Sequence, residues 1–565
     1  MIDKRALSAT RRPLDLKRLS RRDFLKMGGA GLAGATLLGT AGCGVFQSEG
    51  GQQGGGGGGG SKAITLNLGD TIRDLNSVTT TDSVSGADIL LNVMEGLYRL
   101  DADLKPQPAQ AEGVEISDDK LTYTFTLRDG IKWSDGSPVT SQDFKYAWLR
   151  AMDPDTAGQY AYILTTFIEG GAEFNAGDGS ADDVAIETPD DKTLEVTLVS
   201  PSPFWLGLTA FQTYSPQKQS FVEEQGDQYA QNADALLYNG PYTLTDFRPT
   251  QGVTFVKNDQ YWDKANVAIE RIEAKIVKER DTAVNLHESG QLDITEISGE
   301  YVDEFRDSPD FQAQTNFAVF YLVGNYELPF FQNENIRRAF QLGFDREAMT
   351  REILNDGSEP APGYVPSGIA GPEGQTFREA VGATMPEYDA QEARRLFEQG
   401  AQELGENPTI ELLAYDTESG RDIATFLQSQ FEENLGAKID VKVQPFDRKL
   451  ELESNGEFQL SWQGWIADYN DPMTFMDLWL SDSDFNTQSY QNDRYDELVG
   501  GAQTETDFAR RMDMLVEAER VLVEEDAACA PMFFEGQVRL VEPSIKNFVY
   551  YRSGGYAMKE WRLEA

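Results

Sequence analysis

The chain reads as an α/β protein with more than one hydrophobic core, and three observations say so. Its 565 residues exceed what one ordinary core accommodates. Its composition, 40% hydrophobic and 11% aromatic, is that of a folded chain. Its later half alternates helix-like and strand-like segments in the order of a βαβαβ unit, whose crossovers are expected to be right-handed.

The first element is the strand-like run 63–68 (AITLNL). Residues 87–98 have helical spacing, with Ile89, Leu90, Val93, Met94 and Leu97 on one face, which predicts a core-facing helix. Residues 122–127 (TYTFTL) alternate at period two, the pattern of a half-buried strand. Thr140 and Asp143 have capping-box spacing and predict a helix through Met152. Residues 193–199 alternate again and stop at Pro201 and Pro203. A further strand is expected at 272–277, and the 289–293 turn enters another. The apolar run 316–323 predicts a buried strand crossing between domains, followed by a helix from about Pro329 to Leu342.

The second half is the most regular part. Asp389 and Glu392 open a helix to Leu404, 409–415 is a strand, 421–435 a helix closed by Gly436, and 438–443 a strand. A short amphipathic segment, 448–452, leads into a strand at 458–462. Just beyond comes Asp468, a lone carboxylate near Trp462 and Trp465 and ahead of the turn signal Tyr469-Asn470-Asp471-Pro472. In open α/β sheets ligands gather at the carboxyl ends of strands, and an acid between indoles suits a positively charged group. The bland alternative is that Asp468 caps the turn. A last helix, 508–524, leads to the apolar run 530–534.

Charge and composition exclude several function classes. The formal net charge is −45, and residues 1–42 carry a net +6 whose removal leaves −51. Such a surface repels nucleic acid and anionic membrane, and it is also what salt adaptation produces. Two cysteines, Cys43 and Cys529, give no disulfide framework or thiolate metal cluster. One histidine, His287, leaves no Ser-His or zinc-His constellation; it reads as a surface residue, and Cys529 as a small buried hydrophobe. No Walker loop, HExxH or GxSxG occurs. Carboxylates are numerous enough for a two-acid glycosidase, but no pair is singled out by spacing.

The N-terminus is an address. Ser20-Arg21-Arg22-Asp23-Phe24-Leu25-Lys26 resembles the twin-arginine export consensus, and a Gly/Ala/Leu run to Gly42 follows that is too short to span a bilayer. Thr40-Ala41-Gly42-Cys43 resembles a lipoprotein processing box, with Thr40 in place of the usual Leu. Lipidated Cys43 would tether the protein to the outer face of the cytoplasmic membrane. Residues 44–62, with seven consecutive glycines, read as a flexible leash.

Four blocks carry a family resemblance. They are the 127–144 stretch LRDGIKWSDGSPVTSQDF, the segment 239–244 (NGPYTL), the stretch opening at Pro329, and Trp465-x-x-Asp468-x-x-Asp471-Pro472. Together they resemble the oligopeptide- and dipeptide-binding lipoproteins that feed ABC importers. The resemblance implies a periplasmic-binding-protein-like, two-lobed type II α/β fold with an additional subdomain and a hinge. It implies lobe I from 63–96, 199–315 and 531–565, the extra subdomain from 97–198, and the other large lobe from 316–530. Trp133 and Asp135 would be structural, in a subdomain away from ligand. Asp468 would bind the α-ammonium of a peptide, Ser83 and Val84 would pair with its main chain, Phe446, Trp465 and Phe533 would wall pockets, and Asn486 would lie near the cleft. Glu453 and Trp462 stand where relatives have arginines for the peptide carboxylate, so longer peptides, blocked peptides or a cationic non-peptide solute become credible ligands.

The expected protein is a monomeric, exported, non-enzymatic binder. It has no cofactor or metal, and its partners are an oligopeptide and permease subunits. Alternatives are an oligosaccharide stacked on Trp462 and Trp465, and an extracellular hydrolase.

Overall fold

The computed structural model describes residues 63–564 apart from 70, 73–74, 80–83 and 406. Arg21, Arg22, Cys43, the glycine-rich leash and Ser83 lie outside the described residues. In chain order the principal elements begin with β1 (Ile64–Asn67), α1 (Val84–Val93), β2 (Ala111–Ile116), β3 (Thr122–Leu127) and α2 (Ser141–Met152). Next come β4 (Ile186–Asp190), β5 (Thr193–Thr197), β6 (Tyr242–Arg248), β7 (Gly252–Lys257), β8 (Arg271–Lys275) and β9 (Ile294–Glu296). The long β10 (Phe311–Gly324) leads to α3 (Glu334–Leu342), α4 (Ala390–Leu404), β11 (Thr409–Tyr415), α5 (Glu418–Asn434), β12 (Lys438–Gln444) and α6 (Phe446–Ser454). The chain closes with β13 (Leu460–Ile466), α7 (Asp493–Thr504), α8 (Phe508–Glu519) and β14 (Ala530–Val541).

One sheet runs in the order β12-β11-β13-β10-β14-β9-β1-β8-β7-β6, with the short strand Glu359–Pro360 paired to β14. Its two ends differ in construction. β12, β11 and β13 are mutually parallel and are joined through α5 and α6, the predicted βαβαβ unit. At the other end β9, β1 and β8 are parallel, and β7 and β6 fold back as an antiparallel hairpin. The long antiparallel strands β10 and β14 join the halves. Their register shifts twice, between Thr315 and Val319 and between Phe320 and Tyr321, which bends the pair where the halves meet.

Local signals set the elements that matter for the site. The Thr140–Asp143 capping box is present, and Trp133 Nε1 donates to the Asp143 carboxylate from its buried position. Asp389 caps α4 by accepting from the N–H groups of Gln391 and Glu392. Gly436, with φ of +73°, ends the α5 connection in the left-handed region that glycine adopts at little cost. A separate four-stranded antiparallel sheet, β2-β3-β5-β4, packs under α2.

Two details differ from the sequence reading. The helix predicted to reach residue 98 ends at Val93, since Tyr98 enters a short strand with the 106–108 segment; Met94 and Leu97 are still buried, so the periodicity read burial correctly and conformation wrongly. His287 is not at the surface: it is 8% exposed, with Nε2 2.8 Å from Asp310 Oδ2, a partner that spacing could not supply.

Gly536 of β14 faces Thr315, within the bent part of the long pair, and a Cβ there would sit 2.0 Å from the backbone of Gly357. Backbone cannot rotate away as a side chain does. Gly536→Ala is expected to cost on the order of 2–3 kcal/mol, seen as a lower urea midpoint with an unchanged far-ultraviolet circular dichroism spectrum.

Candidate functional site

Parallel strands β11, β12 and β13 end on one side, and the aromatic residues gather there. Tyr415 is the last residue of β11, Phe446 the first of α6 after β12, and Asp468 lies two residues past β13. Trp462 and Trp465 are three apart on β13, so the pleat sends them to opposite faces. Trp465 Nε1 lies 3.4 Å from Thr474 Oγ1, and the Asp468 N–H donates to that same hydroxyl at 3.2 Å. Trp462, 4% exposed, instead packs against Tyr415 and Phe320, and its Nε1 has no hydrogen-bond partner. Only Trp465 therefore adjoins the carboxylate.

Two aspartates three residues apart have opposite electrostatic fates. Asp471 is 5% exposed and accepts both terminal nitrogens of the fully buried Arg511, each at 2.7 Å, and also the Met473 N–H. Asp468 has no such cation. Its Oδ2 accepts from the Tyr162 hydroxyl at 3.2 Å, and no Lys or Arg among the described residues pairs with it. Loss of solvent pushes its carboxyl up to about 7, and the hydroxyls of Tyr162 and Thr474 offset this only in part. The site thus holds a carboxylate short of one positive charge.

Tyr162 comes from the segment between α2 and β4, which the sequence reading set apart from ligand. It reaches Asp468 across 306 residues of sequence, and its burial and that carboxylate raise its own hydroxyl well above the usual tyrosine range. An aromatic series crosses with it. Phe211 stacks on Tyr160, Tyr160 lies beside Tyr162, Tyr162 meets Phe485 edge-on at 5.0 Å, and Phe485 meets Trp465 at 5.1 Å. Phe204 stacks flat on Tyr469 at 4.6 Å. Both halves of the molecule therefore wall the same carboxylate. Tyr162, Thr474 and Phe485 carried no sequence signal, because none belongs to a periodic element or a motif.

The remaining candidates divide. Asn486 spends its side chain within its own loop, donating to the carbonyls of Leu480 and Tyr490 and accepting from the Tyr490 N–H, so it holds Phe485 in place. Phe446 is 51% exposed and stacked on Tyr415. Phe533 is buried against Phe320 on the bent strand pair. Val84 is the first residue of α1, so its N–H has no intrahelical acceptor.

Glu453 is buried and occupied. It pairs with the buried Lys449 and accepts from Ser461 Oγ at 2.6 Å, while Lys449 also donates to the Trp462 carbonyl and sits 4.1 Å from the Tyr415 ring centre. Burial pulls the Lys449 ammonium down, opposed by Glu453. Its positive charge is consumed within the wall and none is left for a ligand carboxylate. Among the described residues no group of His, Cys, Asp and Glu is arranged to hold a metal ion. Cys529 is buried, and burial raises its thiol far above the ordinary range. No described helix is long and apolar enough to cross a membrane.

Comparison with known proteins gives one answer. Residues 105–487 match the model for the bacterial extracellular solute-binding proteins, family 5. The dipeptide-binding protein DppE of Bacillus subtilis is 34% identical over 474 residues, covering 83% of this chain and 86% of the relative. The substrate-binding domain of an oligopeptide ABC transporter from Bacillus anthracis superposes with a TM-score of 0.80 at 37% identity, covering 89% of this chain and 99% of that one. Listeria monocytogenes OppA bound to peptide gives 0.79 at 36%, covering 90% and 100%.

Two outcomes follow from the aspartate pair. Arg511→Met strands a buried carboxylate and should destabilise by about 3–5 kcal/mol in equilibrium urea unfolding. Asp468→Asn should do the reverse. The folded protein holds the Asp468 proton up to about 7, well above the roughly 3.9 of an unfolded aspartate. Ionisation therefore costs the folded state progressively as pH rises from about 4 to 7. The melting temperature of ligand-free D468N should equal that of the parent near pH 4 and exceed it at pH 8.

Proposed function

The chain belongs to the bacterial extracellular solute-binding proteins of family 5, and on that premise we propose that it captures oligopeptides by their free amino terminus and hands them to an ABC-importer permease. The family consists of binding proteins, not enzymes, and acts outside the cytoplasm. The observation that carries the peptide reading is the uncompensated Asp468 carboxylate, walled by Trp465, Tyr162 and Phe485. A ligand ammonium would supply the missing charge through a charge-assisted hydrogen bond, stronger than a neutral one in a water-poor site. Backbone groups near Val84 and Ser83 would pair with the peptide chain without reading its sequence. Phe446, Trp462 and Phe533 are the proposed apolar walls farther along, and Asn486 the residue that fixes the Phe485 loop.

The wall around Glu453 supports ligands whose carboxyl terminus is not captured there, since Lys449 is already neutralised. Bending at the shifted register of β10 and β14 is the proposed hinge, between a lobe of 63–96, 199–315 and 531–565 and a lobe of 316–530, with 97–198 as the added subdomain. Twin-arginine export through Arg21 and Arg22 and an acyl anchor on Cys43 would hold a monomer at the outer face of the cytoplasmic membrane, with the 44–62 leash giving reach. The oligosaccharide alternative gains no support, because Trp462 is buried and Trp465 already carries Phe485 on its ring.

The test is calorimetric titration with one peptide in free-amine and N-acetylated forms. Asp468→Asn should weaken the free-amine form by at least about tenfold, a charged hydrogen bond being worth about 1.5–3 kcal/mol, and leave the acetylated form little changed. Equal losses would remove Asp468 from amine recognition. For the unaltered protein, affinity should climb from pH 5 to about 7.5 as Asp468 ionises, then fall as the peptide amine, near 7.7–8.0, loses its proton.

A further inference from the structure

We propose that Arg539 is a second recognition residue, receiving a carboxylate of the bound peptide on the edge of its guanidinium formed by Nε and Nη2. This rests on the peptide reading above and deepens it, adding an anion subsite to the ammonium subsite at Asp468.

Arg539 lies on β14 directly opposite Glu296, the last residue of β9. β9 and β1 are parallel, and α1 opens at Val84 after β1, so Arg539 stands at the carboxyl edge of the parallel strands in this half of the molecule. Asp468 occupies the corresponding edge in the other half, beyond β13. Such edges are where open α/β sheets take their ligands. Phe533, Glu535, Gln537 and Arg539 are alternate residues of β14, so the pleat places them on one face. The face that begins at the proposed apolar wall therefore ends on a cation.

The guanidinium is fixed in place and left incomplete. Arg539 is 3% exposed, its guanidinium carbon lies 3.6 Å from the Tyr550 ring centre, and it meets the Tyr556 hydroxyl. Yet Nε and Nη2 have no hydrogen-bond partner. Together these two nitrogens form the side-on fork that matches the two oxygens of a carboxylate. The nearby acids do not fill it. Glu296 accepts from Arg280 at 2.8 Å on one oxygen and from Gln537 Nε2 at 3.0 Å on the other. Gln537 Oε1 in turn accepts from Asn316 Nδ2, which also donates to Glu535. Asp88 on α1 acts on Arg539 through its charge without a hydrogen bond, and burial pushes its carboxyl up to about 7. The neighbouring acceptors are thus committed to one another from Arg280 to Glu535, and the Arg539 fork stands outside that chain.

Charge and shape select the ligand group. A buried donor left unmade is costly, and more so on a charged group. A main-chain carbonyl has one oxygen and no full charge, so it meets the fork without neutralising the guanidinium. A carboxylate does both. Two parts of a peptide carry one, the carboxyl terminus and an aspartate or glutamate side chain, so the measurement must separate the two sources.

Calorimetric titrations with alternating Ala-Ser peptides of several lengths, each as free acid and as carboxyl-terminal amide, address the terminus. Amidated peptides of the longest length with a single Glu or Gln at each inner position address the side chain. In one of the two sets the carboxylate form should bind at least about tenfold tighter than its neutral counterpart. In Arg539→Gln that ratio should fall below about threefold, while the preference for a free over an acetylated amino terminus survives. Arg539→Lys, which keeps the charge and loses the fork, should fall between. Acid equal to amide and Glu equal to Gln in the unaltered protein would overturn the proposal without any variant. A carboxylate preference undiminished in Arg539→Gln would overturn it too, by placing the carboxylate on another cation. An unaltered protein indifferent to acetylation would overturn the Asp468 reading, and the acid–amide and Glu–Gln ratios would still decide Arg539.

Discussion

A carboxylate held away from water without a cation is the constraint around which this structure is arranged. Burying an ionised acid costs several kcal/mol unless it is paired, and the chain shows both solutions three residues apart. Asp471 is completed by Arg511 from α8, a partner inside the fold, and the pair locks the loop after β13 to the helical layer. Asp468 is left to a tyrosine hydroxyl, which lowers the cost of ionisation without removing it. The first arrangement stabilises the loop; the second reserves it. Under the proposed reading such a site trades folded-state stability for affinity, since the free energy withheld without ligand becomes available when a cation arrives.

The proposed closure over Asp468 needs a bend between its two walls, and the β10–β14 pair offers one. β10 and β14 belong to both halves, so the two walls of the site are continuous with one hydrogen-bonded pair. A disturbed register at Thr315–Val319 and Phe320–Tyr321 concentrates bending there and leaves the flanking parallel strands regular. Tyr162 and Phe204 approach from one side, Phe485, Trp465 and Tyr469 from the other. In the proposed closure these ring-on-ring contacts would part and reform, since aromatic pairs accept several offset and edge-on geometries.

How much of this could be read in the sequence depends on the range of the interaction responsible. The strands at 122–127 and 409–415 were legible to the residue, and so was the helix from Thr140 to Met152, because alternation and capping are local. The placement of Asp468 just past a strand end was legible too, because a strand, a turn and an isolated acid lie within a dozen residues. The Asp471–Arg511 pair, the Asp310 contact of His287 and the Tyr162 hydroxyl were not. Each joins residues whose separation encodes nothing. The indoles teach a subtler lesson: Trp462 and Trp465 look like one feature in the sequence, and a pleat of period two makes them two.

The same separation of faces explains what became of recognition at the far wall. A ligand carboxylate needs a cation with a free valence, and among the described residues the buried one at Trp462 is Lys449. Its donors go to Glu453, to the Trp462 carbonyl and toward the Tyr415 ring. Such a lysine stiffens the wall and presents neighbouring aromatic surface, not charge. Under the proposed reading, an amino terminus held at Asp468 and a far wall without free charge make a receptor tolerant of ligand length. Under that reading discrimination falls to the Asp468 end, whose carboxylate no described Lys or Arg completes.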